Sequence, residues 1–228
     1  MDSVHLNWSA YNTDMGRTAG QRAGLTRQQV TDAAMDLLRS EGLEAVSMRR
    51  VADRLGVAPN SIYAHVADKA ALVDELIDAM LGGVATPTDD GWRARIERVM
   101  RDSRRELLAH PDLVPFALVR QSVGPNALRL GEVTLGALRE AGLDGPAAVT
   151  GLQVLLVHTI GSAAFETGRT GDPDPAARGR RGRERAAEFG GVTAELSEPI
   201  SRWSGDEVFE RGLGWLLDGL VPGSGRAR

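Results

Sequence analysis

Residues 46–66, VSMRRVADRLGVAPNSIYAHV, decide how this chain folds. Ser47 is a favourable N-cap for a short helix over 48–55, and Gly56 tolerates the left-handed turn that ends such a helix. Ala52 is small enough to let a second helix approach the first one closely. A short capped helix, a glycine turn and a second helix together predict a helix-turn-helix.

The second helix of this motif begins at Pro59, which suits a first helical position because the missing N–H would be unpaired there. Ile62 and Val66 lie one turn apart and predict an inward face. The remaining positions predict an outer face for the major groove of DNA: Asn60, Ser61, Tyr63 and Ala64. The alternative is a small helical bundle with an incidental turn, in which Tyr63 packs in the core.

Helical patterns continue on both sides of the motif. Thr26 and Gln29 predict a capping box at the start of an upstream helix, and Asp68 predicts the cap of a fourth helix. Apolar positions follow the helical period at Val30, Ala33, Ala34, Leu37 and Leu38 upstream and at Leu72, Val73, Leu76, Ile77 and Met80 downstream.

A glycine pair at 82–83 and the polar run 86–91 mark a domain boundary. We therefore expect a head over residues 25–84, preceded by a disordered arm over residues 1–24. Beyond the boundary no segment shows the two-residue alternation of a strand. Helical patterns cover 92–109, 112–122, 126–141, 145–168, 184–196 and 206–220. The fold is predicted to be all-α: an N-terminal three-helix helix-turn-helix DNA-binding domain followed by a larger helical domain over 92–222.

Two stretches of the larger domain have more than one interpretation. The gap at 169–185 is rich in Gly, Pro and Arg, and we predict a mobile, solvated loop rather than a second nucleic-acid site. The stretch from Ala147 to Phe165 is apolar enough to resemble a membrane span but contains Gln153 and His158. We predict a buried bundle helix there and no membrane association.

The composition restricts the classes of function. The 228 residues include no cysteine, which excludes disulfides, thiolate metal sites and a cysteine nucleophile. Catalysis is not expected, because the four histidines lack metal spacing and no phosphate loop or nucleophile elbow is present. The paired carboxylates Asp89–Asp90 fall in the linker. A net charge of −4 allows a small DNA-reading module on an acidic domain, and without a secretion signal we expect a cytoplasmic protein.

The stretch from Val46 to Leu76 resembles the DNA-binding domain of the tetracycline-repressor (TetR) family, whose members carry a Leu/Ile-Tyr-x-His pattern followed by Lys. Here the pattern is Ile62-Tyr63-Ala64-His65, followed by Lys69. The likeness covers about 25–220 and includes the segments Trp92-Arg93, Leu107 to His110-Pro111 and Phe209 to Leu220. It implies a homodimeric transcriptional repressor that binds a palindromic double-stranded DNA operator and is released by a small-molecule effector.

By this resemblance Asn60 and Tyr63 face bases or the sugar-phosphate backbone, and Ser61, His65 and Lys69 hold phosphates. The implied DNA-binding residues are Arg27, Ser47, Arg49, Pro59, Asn60, Ser61, Tyr63, His65 and Lys69.

Two features bear on this DNA interface. Ala58 stands where many family members have a capping serine, so the second helix relies on Pro59 for its start. Arg17 and Arg22 in the arm are candidates for a contact in an adjacent groove, with an idle arm as the open alternative.

The resemblance also implies an effector cavity among the helices from 92 to 168, where ligand binding tilts the fourth helix and separates the two heads. Candidate lining residues are Met100, Arg104, Phe116, Arg120, Gln121, Leu135, Gln153, His158, Phe165 and Glu166. The alternatives are Phe116 and Phe165 as core residues, Arg120 as a solvated or ion-paired side chain and His158 as a hydrogen-bonded core histidine. The histidines that hold the magnesium–drug complex in the tetracycline repressor are missing, so we predict a hydrophobic or drug-like ligand and no metal or cofactor.

Dimerisation is implied through the eighth and last helices, which pair with their copies in a second subunit in that family. The last helix carries an apolar stripe of Leu213, Leu216, Leu217 and Leu220, and close approach is permitted by Gly212, Gly214 and Gly219. The alternative is that this stripe packs only within its own subunit. The alternative functions are a constitutive DNA-binding regulator and a ligand-requiring activator or corepressor type.

Overall fold

The computed structural model describes residues 24–88, 91–120, 122–202 and 204–221. Apart from Gly24, the predicted arm with Arg17 and Arg22 lies outside these residues. So do Gln121, the Asp89–Asp90 pair and the last residue of the predicted larger domain.

Within the described ranges the chain forms twelve α-helices and no strand, which confirms the all-α prediction. The helices are α1 Arg27–Glu41, α2 Met48–Leu55, α3 Pro59–Tyr63, α4 Lys69–Leu81, α5 Trp92–Ala109, α6 Val114–Val119, α7 Pro125–Glu140, α8 Gly145–Thr170, α9 Pro175–Phe189, α10 Gly191–Glu195, α11 Ser197–Arg202 and α12 Gly205–Leu220. They divide into two compact units, Met1–Leu76 and Ile77–Arg228, so that the division falls within α4.

The head unit folds around the predicted apolar stripes. Thr26 and Gln29 form the capping box that starts α1, with the Thr26 hydroxyl and the Gln29 carbonyl oxygen each accepting a backbone N–H. Asp68 accepts the N–H of Ala71 at 2.8 Å, as a cap of α4 should. The buried side chains include Val30, Ala34, Leu37, Val46, Val51, Ala52, Ile62, Val66, Leu72 and Leu76. Local capping and helical periodicity therefore account for this unit.

The larger unit is built around α5 and α8, which pack against each other and against α7, while α12 packs on α8. Its core includes Ile96, Met100, Leu130, Leu138, Leu155, Phe209, Leu213 and Leu217. α8 is long and apolar enough to cross a membrane by length and composition, and 28% of its most apolar window is buried within this unit. Its Ala148 and Leu155 belong to the core, as in a bundle helix.

The apolar stripe of α12 packs within its own protomer, which was the alternative to our prediction. Leu213 and Leu217 are fully buried, and Leu216 and Leu220 pack against the same core. A Cβ at Gly212 would overlap the imidazole of His158, so this glycine permits a contact inside the protomer rather than between subunits. The predicted place of Leu213 and Leu217 at a subunit interface is therefore wrong, because the helix has a second apolar face and the sequence alone did not show which face meets the core. Pairing of α12 with its copy in a second subunit stays a prediction.

α5 and α12 run antiparallel and are joined by ion pairs along their length. The pairs are Arg93–Asp218 at 2.7 Å, Arg101–Glu210 at 2.8 Å and Arg104–Asp206 at 2.6 Å. The hydrogen bonds that Arg101 donates to Glu210 raise the pKa of Arg101 against the opposing effect of partial burial, and the nearby charges of Glu210 and Glu97 add to the rise.

The predicted mobile loop at 169–185 is wrong, because α9 occupies most of it. Asp174 caps this helix by accepting the N–H of Ala177 at 2.8 Å, and Arg178 pairs with Asp172 at 2.7 Å. The predicted helix at 184–196 is interrupted at Gly190, whose φ of 80° ends α9. The Gly and Pro content was misleading, since Pro175 takes the first helical turn, where proline is tolerated.

Candidate nucleic-acid interface and buried polar cluster

The turn between α2 and α3 has the geometry that the sequence predicted. Ser47 caps α2 by accepting the N–H of Arg50 at 3.3 Å. Gly56 ends α2 in the left-handed conformation, with φ 66° and ψ 32°, and donates to the carbonyl of Ala52. α3 then starts at Pro59 without a side-chain cap, as expected from Ala58. α2, the Gly56 turn and α3 therefore form a helix-turn-helix.

α3 presents an outer face made of fewer polar residues than predicted. Ile62 is fully buried, whereas Tyr63 is 52% exposed and Asn60 is exposed. Ser61 is only 3% exposed, so its predicted place on the outer face is wrong. Residues 61 and 65 lie one turn apart on the flank of Ile62, since a helix advances about 100° per residue, and His65 is accordingly half-buried.

Some of the other predicted DNA-binding residues are exposed near this face, and others make contacts that stabilise the head. Arg49 is exposed on α2, 4.0 Å from Asp53, and Lys69 is exposed at the start of α4. Arg27 pairs with Glu75 at 2.9 Å, which ties the start of α1 to α4. Pro59 is exposed beside Asn60, and Ser47 serves as the α2 cap.

In the larger unit, Arg104 is the centre of a buried polar cluster. It is 7% exposed. Its Nη1 donates at 2.6 Å to Oδ1 of Asp206, whose side chain is 84% exposed at the edge of the cluster. Its Nε donates to Ser162 Oγ at 3.0 Å. Its guanidinium lies 5.0 Å from the centroid of the Phe209 ring, within the range of a cation–π contact. α5, α8 and α12 each supply part of this cluster.

His158 and Glu166 complete the same cluster. The imidazole stacks on Phe209 with centroids 5.2 Å apart and planes 7° apart, and its Nε2 lies 3.0 Å from the Phe209 carbonyl oxygen. Because that oxygen only accepts, Nε2 carries a proton. Glu166 Oε2 and Arg104 Nη2 are both buried, with no hydrogen-bond partner among the described residues. Both would meet a Cβ at Gly205, so two opposite charges lie close together without a direct hydrogen bond.

Residues 30–76 match the family model described as "Bacterial regulatory proteins, tetR family", and residues 85–222 match that of "Tetracyclin repressor-like, C-terminal domain". The chain belongs to the TetR family. Its members are DNA-binding transcription regulators rather than enzymes, as the sequence predicted.

Individual TetR-family proteins are similar over most of the chain. An HTH-type transcriptional regulator of Saccharopolyspora erythraea is 31% identical over 208 residues, which are 88% of this chain and 86% of that protein. The class A tetracycline repressor of Escherichia coli is 32% identical over 198 residues, 84% of this chain and 88% of that protein. The structure of Streptomyces coelicolor ActR in complex with actinorhodin has a TM-score of 0.80 and 31% identity, covering 90% of this chain and 100% of that one.

Within this TetR-family larger unit, the remaining predicted effector residues are dispersed. Met100 is buried and accepts a hydrogen bond from Thr159 Oγ1 at 3.3 Å. Phe116 and Leu135 are half-buried, whereas Arg120 and Gln153 are exposed. The core interpretation of Phe165 is wrong for the protomer, because this ring is 72% exposed.

Sequence reasoning found three members of the polar cluster, Arg104, His158 and Glu166. It missed Ser162, Asp206 and Phe209. Phe209 lies in a stretch that resembles the family, and its presence there was the one signal in the sequence that could have pointed to it.

Proposed function

We propose that this TetR-family chain is a homodimeric, cytoplasmic transcriptional repressor that binds a palindromic operator and is released by a small hydrophobic or drug-like ligand. The observation that carries the proposal is the contrast on α3, where Tyr63 is exposed next to the fully buried Ile62. A large aromatic side chain on the outer face of the second helix of a helix-turn-helix, next to a buried anchor residue, is suited to contact DNA.

The surroundings of α3 support the DNA-binding role. Tyr63 and Asn60 are available for bases or sugar, and Arg49 and Lys69 supply positive charge for phosphates on the two neighbouring helices. The N-terminus of α4 adds its own N–H groups and positive dipole end near Lys69. His65 is half-buried and is still assigned to a phosphate, whereas Ser61 is buried and is no longer assigned to the interface.

The homodimer is supported by apolar surface on α8 and α12 that the protomer leaves exposed. On α8, Val157 is 68% exposed and Phe165 72% exposed, and on α12, Trp215 is 69% exposed. Val149 on α8 and Val208 on α12 are also exposed. Large exposed apolar patches mark interfaces, and a second copy of the same chain would bury them against identical side chains about a two-fold axis. Such a dimer presents two α3 helices to a palindrome.

The ligand is supported by the buried polar cluster and by the relatives. A buried Arg104 whose Nη2 has no hydrogen-bond partner in the described part of the chain, beside an aromatic ring, is a suitable anchor for an organic molecule that carries an acceptor oxygen. The ActR structure is a complex with actinorhodin, so a similar sensor domain holds a small organic molecule. We assign Met100, Arg104, His158 and Glu166 to this role, with the more exposed Phe116 and Arg120 as second candidates.

The experiment that tests the function selects operator sequences from random duplex DNA with the purified protein at physiological salt. A palindromic consensus is the expected result. Absence of enrichment by a folded dimer would contradict a repressor that binds DNA without ligand.

The effector is then sought by thermal shift of the free protein against a panel of organic compounds, with actinorhodin among them. Compounds that raise the melting temperature are added to the protein–operator complex. Release supports the repressor, and tighter binding instead shows the ligand-requiring alternative.

A further inference from the structure

The end of α4 and the start of α7 are joined through the carboxylate of Asp78. This side chain is 7% exposed. Its Oδ1 accepts the N–H of Ala127 at 2.9 Å, and its Oδ2 accepts the N–H and the side-chain Nδ2 of Asn126 at 3.2 and 3.1 Å. α7 has no capping side chain of its own, since its N-cap is Gly124. Asp78 therefore caps α7 from another helix and meets the positive end of its dipole.

Gly124 makes this approach possible. A Cβ at position 124 would overlap the carboxyl group and the Cβ of Asp78. The aspartate side chain is short and buried, so it could not move aside as the end of a long side chain could. The local sequence Gly124-Pro125-Asn126 thus suits a helix whose first turn is held by an external acid.

Arg129 makes the reverse connection. Its Nη1 and Nη2 each donate to the carbonyl oxygen of Val84 at 3.2 Å, and Nη2 also donates to that of Leu81 at 3.4 Å. Its Nη1 further donates to Thr86 Oγ1 at 3.3 Å. Leu81 is the last residue of α4, where carbonyl groups lack partners within the helix. α7 therefore caps the end of α4 with a cation, while α4 caps the start of α7 with an anion.

We propose that Asp78 and Arg129 are positioning residues for DNA binding, which together form an α4–α7 clamp that sets the orientation of α4. This proposal rests on the proposed function. α4 starts at Lys69, a predicted phosphate contact, and continues without a break to the clamped turn. α7 supplies Leu130 and Leu138 to the core of the larger unit. A ligand that shifts α7 must therefore displace the clamped end of α4 or break the clamp.

The test uses full-length protein with one side of the clamp removed at a time. Asp78→Asn places an amide NH₂ against N–H donors, and Arg129→Met keeps the aliphatic stem while removing the donors. Asp74→Asn is the matched control on α4, since it removes the same charge at an exposed position. Arg139→Met is the matched control on α7. Among the described residues, Arg139 donates a hydrogen bond only to the carbonyl oxygen of Leu143, in the loop that follows α7.

Orientation is measured as the distance between spin labels at Glu44→Cys in the head and Ala147→Cys on α8, both exposed positions in a chain without native cysteine. Labelled chains are diluted with unlabelled ones, so that the distance is intramolecular in any oligomeric state. The clamp predicts a shifted or broadened distance distribution for Asp78→Asn and Arg129→Met and an unchanged one for both controls. It also predicts operator affinity reduced about tenfold or more by the clamp variants, within the usual range of coupling between sites.

Amide hydrogen exchange at Asn126 and Ala127 reports whether the clamp itself has opened. Faster exchange with an unchanged distance distribution and unchanged operator affinity would overturn the proposal. If Asp78→Asn does not fold, Arg129→Met decides, since Arg129 is only half-buried. A wild-type protein that fails to select an operator would refute the proposed function. The spin-label distances require no DNA, so they would still test whether the clamp orients α4.

Discussion

Ile62 and Tyr63 are neighbours on α3 with opposite surroundings: the isoleucine is fully buried and the tyrosine is half exposed. The isoleucine packs α3 against the head, whereas about half of the tyrosine surface is left to solvent. Adjacent positions therefore allow packing of the head, through Ile62, to be tested separately from the DNA contact that we propose for Tyr63.

Tyr63→Ala is expected to abolish specific operator binding without changing the stability of the head. Exposed side chains outside caps and cores usually change the free energy of unfolding by less than about 0.5 kcal/mol. Ile62→Ala is the control and should cost about 2–5 kcal/mol, because it leaves a cavity. Gel shift against the selected operator and thermal unfolding followed by circular dichroism measure the two effects. A large drop in melting temperature for Tyr63→Ala would make the tyrosine a core residue and remove it from the interface.

Lys69→Gln is expected to weaken binding to all DNA sequences alike. Loss of one phosphate contact lowers the slope of log affinity against log salt by about one. Arg39→Gln is the matched control, since Arg39 is an exposed cation at the far end of α1. Fluorescence anisotropy at several salt concentrations measures both slopes. Equal slopes for wild type and Lys69→Gln would mean that the start of α4 does not hold a phosphate.

Local chemistry made the head predictable. The caps at Thr26, Ser47 and Asp68 and the turn at Gly56 depend on residues within a few positions of each other, and all four were identified from the sequence. Ser61 was misplaced because a short helix gives few positions from which to fix its phase.

Contacts between distant segments escaped the sequence. The partners of Asp78 lie 48 and 49 residues away, and those of Arg104 lie 58 and 102 residues away. Periodicity reports which residues share a face of one helix but not which helix that face meets. The place of the α12 leucines was mispredicted for this reason. They pack against the core of their own protomer, and Trp215 is left exposed.

Val157→Asp and Trp215→Glu are each expected to convert the proposed dimer into a monomer. Each places a charge among the exposed apolar side chains that we assign to the subunit interface, where it would be buried without a partner. Leu128→Asp is the matched control, because Leu128 is comparably exposed on α7, outside that surface. Light scattering coupled to size-exclusion chromatography gives the mass. A dimer that survives both substitutions would place the interface elsewhere.

Gly212→Ala is expected to destabilise the larger unit although alanine is the better helix former. Replacing an unconstrained helical glycine by alanine stabilises by about 0.5–1 kcal/mol. At Gly212 the added methyl would overlap the imidazole of His158, whose position is fixed by the stack on Phe209 and the bond to its carbonyl oxygen. Moving that ring disturbs the packing beneath Arg104 as well.

The matched control is Gly136→Ala on α7, where nothing lies within 4 Å of the new Cβ. Urea unfolding should show the gain for Gly136→Ala and a loss for Gly212→Ala. Gly212→Ala should destabilise the protein less when it is introduced into the His158→Ala variant than into the wild type. The overlap with the imidazole is absent there, and substitutions at residues in direct contact are not additive. A gain in stability for Gly212→Ala would show that the imidazole of His158 moves aside easily. The stack of His158 on Phe209 would then not be a rigid feature of the buried polar cluster.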